Sequence, residues 1–395
     1  MPHHYAAHRL RQSIPEVWYS ATLITMRPPE VPRVANELSR LSRAGLDSET
    51  FRFEAMAVLR RALPADAWCW TTADPETSLV TGAVGEGIPP DRSARFFEIE
   101  YQVEDFNKFS DLARGPRQVG ALSQATDGDL SRSPRYREIF GPLGIGEDLR
   151  VALRADGCCW GFLVLHREQS RWFTHDEIDL LLSMAPSLAA GLRLGLALHP
   201  GVDGDERGTG LMLLDTDLTP LAVTPSAARY LALTHSKEEQ HADHIPDAVR
   251  ALAARLGLMA DDDPEPWLES RVPTTGGGWL TIQATRVCDR DGGAKVALLV
   301  KRARPSEMLP MVLLGYKLTA REAQIASCVL RGLSTRDIAE ELGVAASTVQ
   351  EHLKAVFDKL GVRSRRELTA AVFGQRYWPR MAEGAPLGAD GSFAR

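Results

Sequence analysis

Near the C-terminal end stands LSTRDIAEELGVAASTVQEHLKAVFDKLGVRSRREL, Leu333 to Leu368, and this stretch restricts what the chain can fold into more than any other. Its apolar residues recur at spacings of three and four, the period of a helix with one buried face. Gly343 and Gly361 interrupt that period, and a glycine at such a point ends a helix in the left-handed conformation at little cost. The spacing therefore predicts two helices a tight turn apart. Upstream, Thr319 precedes AREAQIASCVL with Glu322 three positions on, the pattern of a capping box, and Gly332 closes that helix. Ser334, with Asp337 in the first turn, starts the second helix. Ala346 or Ser347 opens the third, whose Val349, Leu353, Val356 and Leu360 form the inward stripe. Ala339 is small enough to let that helix cross close by, and Ser364 caps a fourth, RRELTAAVFGQ.

The outward face of the third helix carries Ser347, Gln350, Glu351 and Lys354. Gln can pair bidentately with adenine, Glu can accept from cytosine N4, and Lys can donate to guanine. All lie in the first two turns, the end of a helix-turn-helix that enters the major groove. Ser347, Thr348, Lys359, Arg363, Arg365 and Arg366 suit phosphates, which position a protein without reading sequence. A helical bundle whose polar face merely meets water has the same pattern. From Leu318 to Leu368, however, the chain resembles the LuxR-type helix-turn-helix, with Thr319, Glu322, Gly332, Ile338, Ala339, Leu342, Val349, His352, Lys354, Leu360 and the run Val362–Arg366 where that family has them. The resemblance implies double-stranded DNA as partner, with Gln350, Glu351 and Lys354 facing the bases. A dimer is expected, because one short helix reads too few base pairs.

The remaining sequence is organised before this module. Phe51, Ala55, Val58 and Leu59 continue a helical period begun at Val34, Leu38 and Leu41. AWCWTTA and SLVTGAV read as strands, and EDLRVALRADGCCWGFLVLHRE as a hairpin turned on Asp156-Gly157. A loop-rich middle separates them, with a short helix at Tyr136–Phe140, and a long helix follows from Phe173 to Leu198, capped by Thr174 with Glu177. After the linker GVDGDERGTG, a second set of strands and short helices begins at GLMLLDTDLTPLAV and ends near Pro305; Met308–Leu314 begins a linker helix. AWCWTTADPETSLVTGAV, DFNKFSDLARGP and CCWGFLVLHRE resemble GAF sensor domains, and GLMLLDTDLTPLAVTPSAARYL resembles the opening of a PAS domain. The expected architecture is thus α+β sensor domains, GAF-like over 31–198 and PAS-like over 208–304, then an all-α four-helix helix-turn-helix domain over 315–376. Such sensors imply control by a small-molecule effector or a protein contact, although a fold names no ligand. Trp68, Trp70, Phe97 and Trp160 are candidates for an effector pocket, or else fill a core.

Charge and composition exclude other classes. The formal net charge is −6, yet residues 315–378 carry +3, leaving −9 for the rest, an arrangement that allows a basic DNA-binding module on an acidic body. Cys69, Cys158, Cys159, Cys288 and Cys328 form no metal-binding spacing and read as reduced thiols. The pairs His4/His8 and His241/His244 lack a third ligand, so no metal and no cofactor are expected. No phosphate-cradling loop, nucleophile–base pair or receiver-like acidic cluster occurs, so the chain does not read as an enzyme. Residues 1–30 form a loose leader without a secretory core, and LLSMAPSLAAGLRLGLALH is broken by Pro186 and Arg193, so no membrane contact and a cytoplasmic location are expected. The rival reading is a protein-interaction regulator whose helical tail binds another protein, such as RNA polymerase, instead of DNA.

Overall fold

The computed structural model describes residues 30–89, 92–168, 171–197, 208–234, 245–259, 267–275, 277–288, 290, 292–303, 313 and 318–369. Both histidine pairs, the leader up to residue 29 and most of the linker helix expected at Met308–Leu314 lie outside the described residues.

The helical period that opens the first unit resolves into α1 (Glu30–Leu41) and α2 (Ser48–Leu59). They are separate because Asp47 starts α2: its carboxylate accepts from the amides of Glu49 at 3.0 Å and Thr50 at 2.9 Å, satisfying donors that a helix N-terminus leaves unpaired. Strands β1 (Ala67–Ala73), β2 (Val80–Glu86), β3 (Val119–Ala121), β4 (Ile145–Ala155) and β5 (Cys158–Glu168) make an antiparallel sheet in the order β2-β1-β5-β4-β3. The β4–β5 turn holds Asp156 at φ 52° and Gly157 at φ 80°, the two left-handed residues that the Asp-Gly pair was expected to supply. Helices cover both faces. α1, α2 and α6 (His175–Ala197) pack over Trp68, Trp70, Trp160 and Leu163, while α3 (Ser93–Gln102) and α4 (Phe109–Arg114) pack over Phe162 and Val164. α6 is long and apolar enough to cross a membrane, but most of it is buried in this core.

The middle segment, expected to be loop-rich, contains α3, α4, β3 and the short α5 (Leu122–Ala125). Its helices were obscured because charged residues occupy buried positions and break the apolar period. Beneath α3, Arg135 and Arg150 are both fully buried. Arg150 binds Glu100 at 2.7 Å and Asp148 at 2.9 Å, and Arg135 binds Asp105 and Asp148, each at 3.1 Å. Arg150 also lies over the Phe109 ring, 4.7 Å from its centroid, and Phe109 stacks on Phe162 at 4.2 Å. Such a lattice gains little over apolar packing, but removing one member would leave another charge buried and unpaired.

The second unit repeats the first sheet's order. β6 (Gly210–Leu214), β7 (Pro220–Val223), β8 (Leu268–Pro273), β9 (Trp279–Cys288) and β10 (Ala294–Arg302) run β7-β6-β10-β9-β8, with α7 (Pro225–Ala232) and α8 (Asp247–Leu256) beside them. α8 lies against α3 and β2 of the first unit, so Phe97 and Tyr101 share one core with Val249 and Leu252. Gln102 donates to the Ala254 carbonyl at 3.0 Å across this junction.

The charge lattice generates a pH prediction. His166 is buried, its Nδ1 3.8 Å from Asp148 Oδ1 and its ring edge-on to Phe140. Burial, opposed by Asp148 and aided by the two arginines, lowers its pKa from 6.5 to about 4. An unfolded chain takes up this proton near pH 6.5, whereas the folded one does so only near 4. The contribution is therefore full above the unfolded value and is lost as pH falls through this window, roughly 3 kcal/mol in all. Urea melts at pH 7 and pH 5 should show a steeper loss for the natural chain than for His166→Gln.

Candidate nucleic-acid interface

Three helices, α9 (Ala320–Leu330), α10 (Thr335–Glu341) and α11 (Ala346–Leu360), and the start of the expected fourth at 365–369 form the C-terminal unit among the described residues. The expected capping box closes α9: Thr319 N–H donates to Glu322 Oε2 at 2.7 Å, and Glu322 N–H to Thr319 Oγ1 at 3.3 Å. α10 has a second box of the same kind, with Asp337 in the place of the glutamate and Ser334 as cap. Gly343, at φ 61°, lets the chain turn sharply from α10 into α11, and the Val344 amide reaches back to the Ala339 carbonyl at 3.0 Å. Ile325, Val329, Ile338, Val349, Leu353 and Val356 form the shared core. Leu360, expected in the same stripe, is half-buried at its end. α11 starts at Ala346 behind Ala345, which has no capping side chain, whereas Ser364 caps the helix beginning at 365, its hydroxyl accepting from the Glu367 amide at 3.1 Å.

On α11 the side chains of Ser347, Gln350, Glu351 and Lys354 are exposed, and Thr348 is half-buried. Their positions, three and four apart, place the first four on one stripe opposite the core. A shallow groove bordered by Gln350, Lys354, Phe357 and Arg363 brings Arg363 to the same side. Arg366 is exposed beyond it. This arrangement joins amide, carboxylate and ammonium groups along a rigid helix, with cationic groups at its flank.

Lys359 and Arg365, expected to meet phosphates, are occupied within the domain. Lys359 Nζ donates to Glu322 Oε2 at 2.6 Å, so one carboxylate both caps α9 and holds the far end of α11. Burial works against the charge of Glu322, but Lys359 and the Thr319 amide prevail and keep its pKa below the usual carboxylate value. Arg365 donates to the Leu333 carbonyl at 2.6 Å and to Thr335 Oγ1 at 2.9 Å, bracing the α9–α10 turn. Arg321 ties α9 to the Leu342 carbonyl at 2.9 Å. Their sequence signal was positive charge alone, which cannot distinguish a phosphate ligand from a clamp on carbonyls.

The aromatic pocket expected in the first unit is not a single space. Trp68, Trp70 and Trp160 are buried on the α6 side of the sheet, whereas Phe97 is buried on the α3 side. Trp70 meets Phe51 edge-on at 5.9 Å, and Phe97 stacks on Tyr101 at 6.2 Å. Both faces are filled by the fold's own rings. Burial likewise raises the Cys159 thiol to about 12, so it stays protonated and inert near neutrality.

Comparison with known proteins follows the same division. Residues 316–372 match the family of bacterial regulatory proteins, luxR family, and residues 48–192 match the GAF domain. An HTH-type transcriptional regulator of the exeN 3′ region in Aeromonas salmonicida is 46% identical over 54 residues, 14% of this chain and 28% of that protein. The HTH-type transcriptional activator RamA of Corynebacterium glutamicum is 42% identical over 55 residues, 14% of this chain and 20% of that protein. The chain therefore spans less than a third of these relatives. The GAF domain of a phosphoenolpyruvate-protein phosphotransferase from Coxiella burnetii is 18% identical, with a TM-score of 0.32 over 42% of this chain and 93% of that one, too loose a likeness to argue from.

Clamping by Arg365 predicts a stability effect separate from any binding effect. In a fragment spanning 315–376, Arg365→Ala should lower unfolding stability by about 1–2 kcal/mol, because two half-buried acceptors lose a charged donor. Arg366→Ala, on the exposed side, should leave the urea midpoint unchanged.

Proposed function

We propose that this chain, in which a GAF domain at 48–192 precedes a LuxR-family helix-turn-helix domain at 316–372, is a DNA-binding transcriptional regulator and not an enzyme. One observation carries the reading: Gln350, Glu351 and Lys354 stand exposed on a helix fixed by Lys359 and the core, so their orientation is set before any partner arrives. Gln350 and Lys354 read bases, Glu351 meets a cytosine, and Ser347, Thr348, Arg363 and Arg366 meet phosphates. Two copies act on paired half-sites, in the cytoplasm. The second unit, whose strand order repeats that of the first, is a PAS-like partner of the GAF domain in sensing a small effector.

DNA selected for binding from random fragments supplies the test. Gln350→Ala and Lys354→Ala should each weaken the selected site by about 1–3 kcal/mol and relax preference at one base pair. Arg363→Ala should weaken all sequences alike and reduce the slope of log affinity against log salt by about one. Equal losses on every sequence at all three positions would remove base reading from α11. A chain that captures a protein but no DNA at low salt would sink the regulator reading.

A further inference from the structure

The room that the first sheet denies its aromatic residues opens at the junction of the two sheet-containing units. A cleft of about 280 Å³ lies where the start of α2 and the end of α6 face the β8–β9 turn, with β2 beneath. That is close to the lower end of ligand-site volumes, suited to a metabolite of sugar size. Hydroxyls line it from both units: Ser48, Thr72 and Thr81 on one side, Thr234, Thr274 and Thr275 on the other. Thr72 and Thr81 bond each other at 2.8 Å, while Thr234 donates to the Leu231 carbonyl at 2.7 Å and Thr275 to the Leu233 carbonyl at 3.2 Å. Hydroxyls that already donate retain acceptor lone pairs, so these walls favour a ligand rich in O–H and N–H donors.

The charges select further. Asp47 answers the positive end of α2, so an anion placed there would face its carboxylate and that of Glu49. Arg52 is turned inward, its guanidinium donating to the Trp70 carbonyl at 2.9 Å and the Ser48 carbonyl at 3.0 Å. Glu49 lines the cleft, and its carboxylate has no hydrogen-bonded or ionic partner among the described residues.

We infer that this cleft is the effector site and that it takes a small hydroxylated molecule bearing one ammonium group, held by the threonine oxygens and by Glu49. The inference rests on reading the chain as an effector-controlled regulator. Because the walls belong to both units, an occupant changes the free energy of one relative arrangement over another. Trp279, which also lines the cleft, accepts the amide of Ala303 at 2.9 Å, just after β10 and before the segment that leads to α9.

The test uses the full chain and thermal melts with two amines, glucosamine and ethanolamine, against glucose and ethylene glycol at the same millimolar concentrations. At least one amine should raise the melting temperature saturably, and its neutral counterpart should not. Glu49→Gln should keep the ligand-free melt and weaken amine binding about tenfold, the loss of one charge-assisted hydrogen bond. Gly82→Leu should abolish the shift by filling the cleft, since a Cβ there meets nothing nearer than Thr72 Oγ1 at 3.6 Å. No shift with either amine, equal shifts with neutral probes, or a shift that survives both variants would overturn the assignment. DNA binding measured on the same samples separates the two readings: an amine that binds the cleft without altering DNA affinity removes its effector role, whereas absence of DNA binding removes the regulator reading and leaves the ligand site standing.

Discussion

One buried carboxylate makes two similar sheets a single body. Asp74 ends β1 with no solvent exposure, accepts the Glu76 amide at 2.9 Å in its own turn, and accepts the Arg271 amide at 2.7 Å from β8. Burial raises its pKa, with the Arg271 and Glu76 amides pulling the other way. Both of its oxygens are thus committed, one within each unit, so sliding β8 along β2 would strip a donor from a buried acceptor. β2 and β8 are also the terminal strands of their sheets and lie against each other at the junction of the two units. The cleft lies beside this contact, between α2 and the β8–β9 turn.

The charge lattice under α3 has the complementary effect. Arg135, Arg150 and the carboxylates of Glu100, Asp105 and Asp148 occupy the α3 side of the sheet, with Phe109 and Phe162 stacked beside them. Ion pairs of this kind add little net stability over apolar packing, yet breaking one leaves a buried charge uncompensated. They hold α3 in place, and α3 in turn seats α8, so a polar cluster inside one unit determines where the next unit docks.

Local patterns in the sequence reached far where structure is local. Capping at Thr319 and Thr174, the turn at Asp156-Gly157 and the strand AWCWTTA all appear where their residues place them, because each depends on neighbours within a few positions. The exposed stripe of α11 was legible for the same reason. What escaped notice depends on contacts between distant positions. Glu100 and Arg150 lie fifty residues apart, and each alone reads as a surface charge. Arg365 reads as a phosphate ligand until Leu333 and Thr335 are seen beside it. Trp68 and Phe97 read as one pocket until a sheet is placed between them. The cleft had no linear signature, since its walls come from segments more than two hundred residues apart.

Glu322 closes α9 with one bond and anchors Lys359 of α11 with another, so the scaffold and the orientation of the outward helix share a single residue. Gln350, Glu351 and Lys354 take part in none of these bonds. Positions that hold the helix and positions that face outward are therefore separate sets. A lineage carrying this domain can exchange the outward residues, and with them its targets, without passing through unfolded intermediates, whereas change at Glu322 would disturb two helices together.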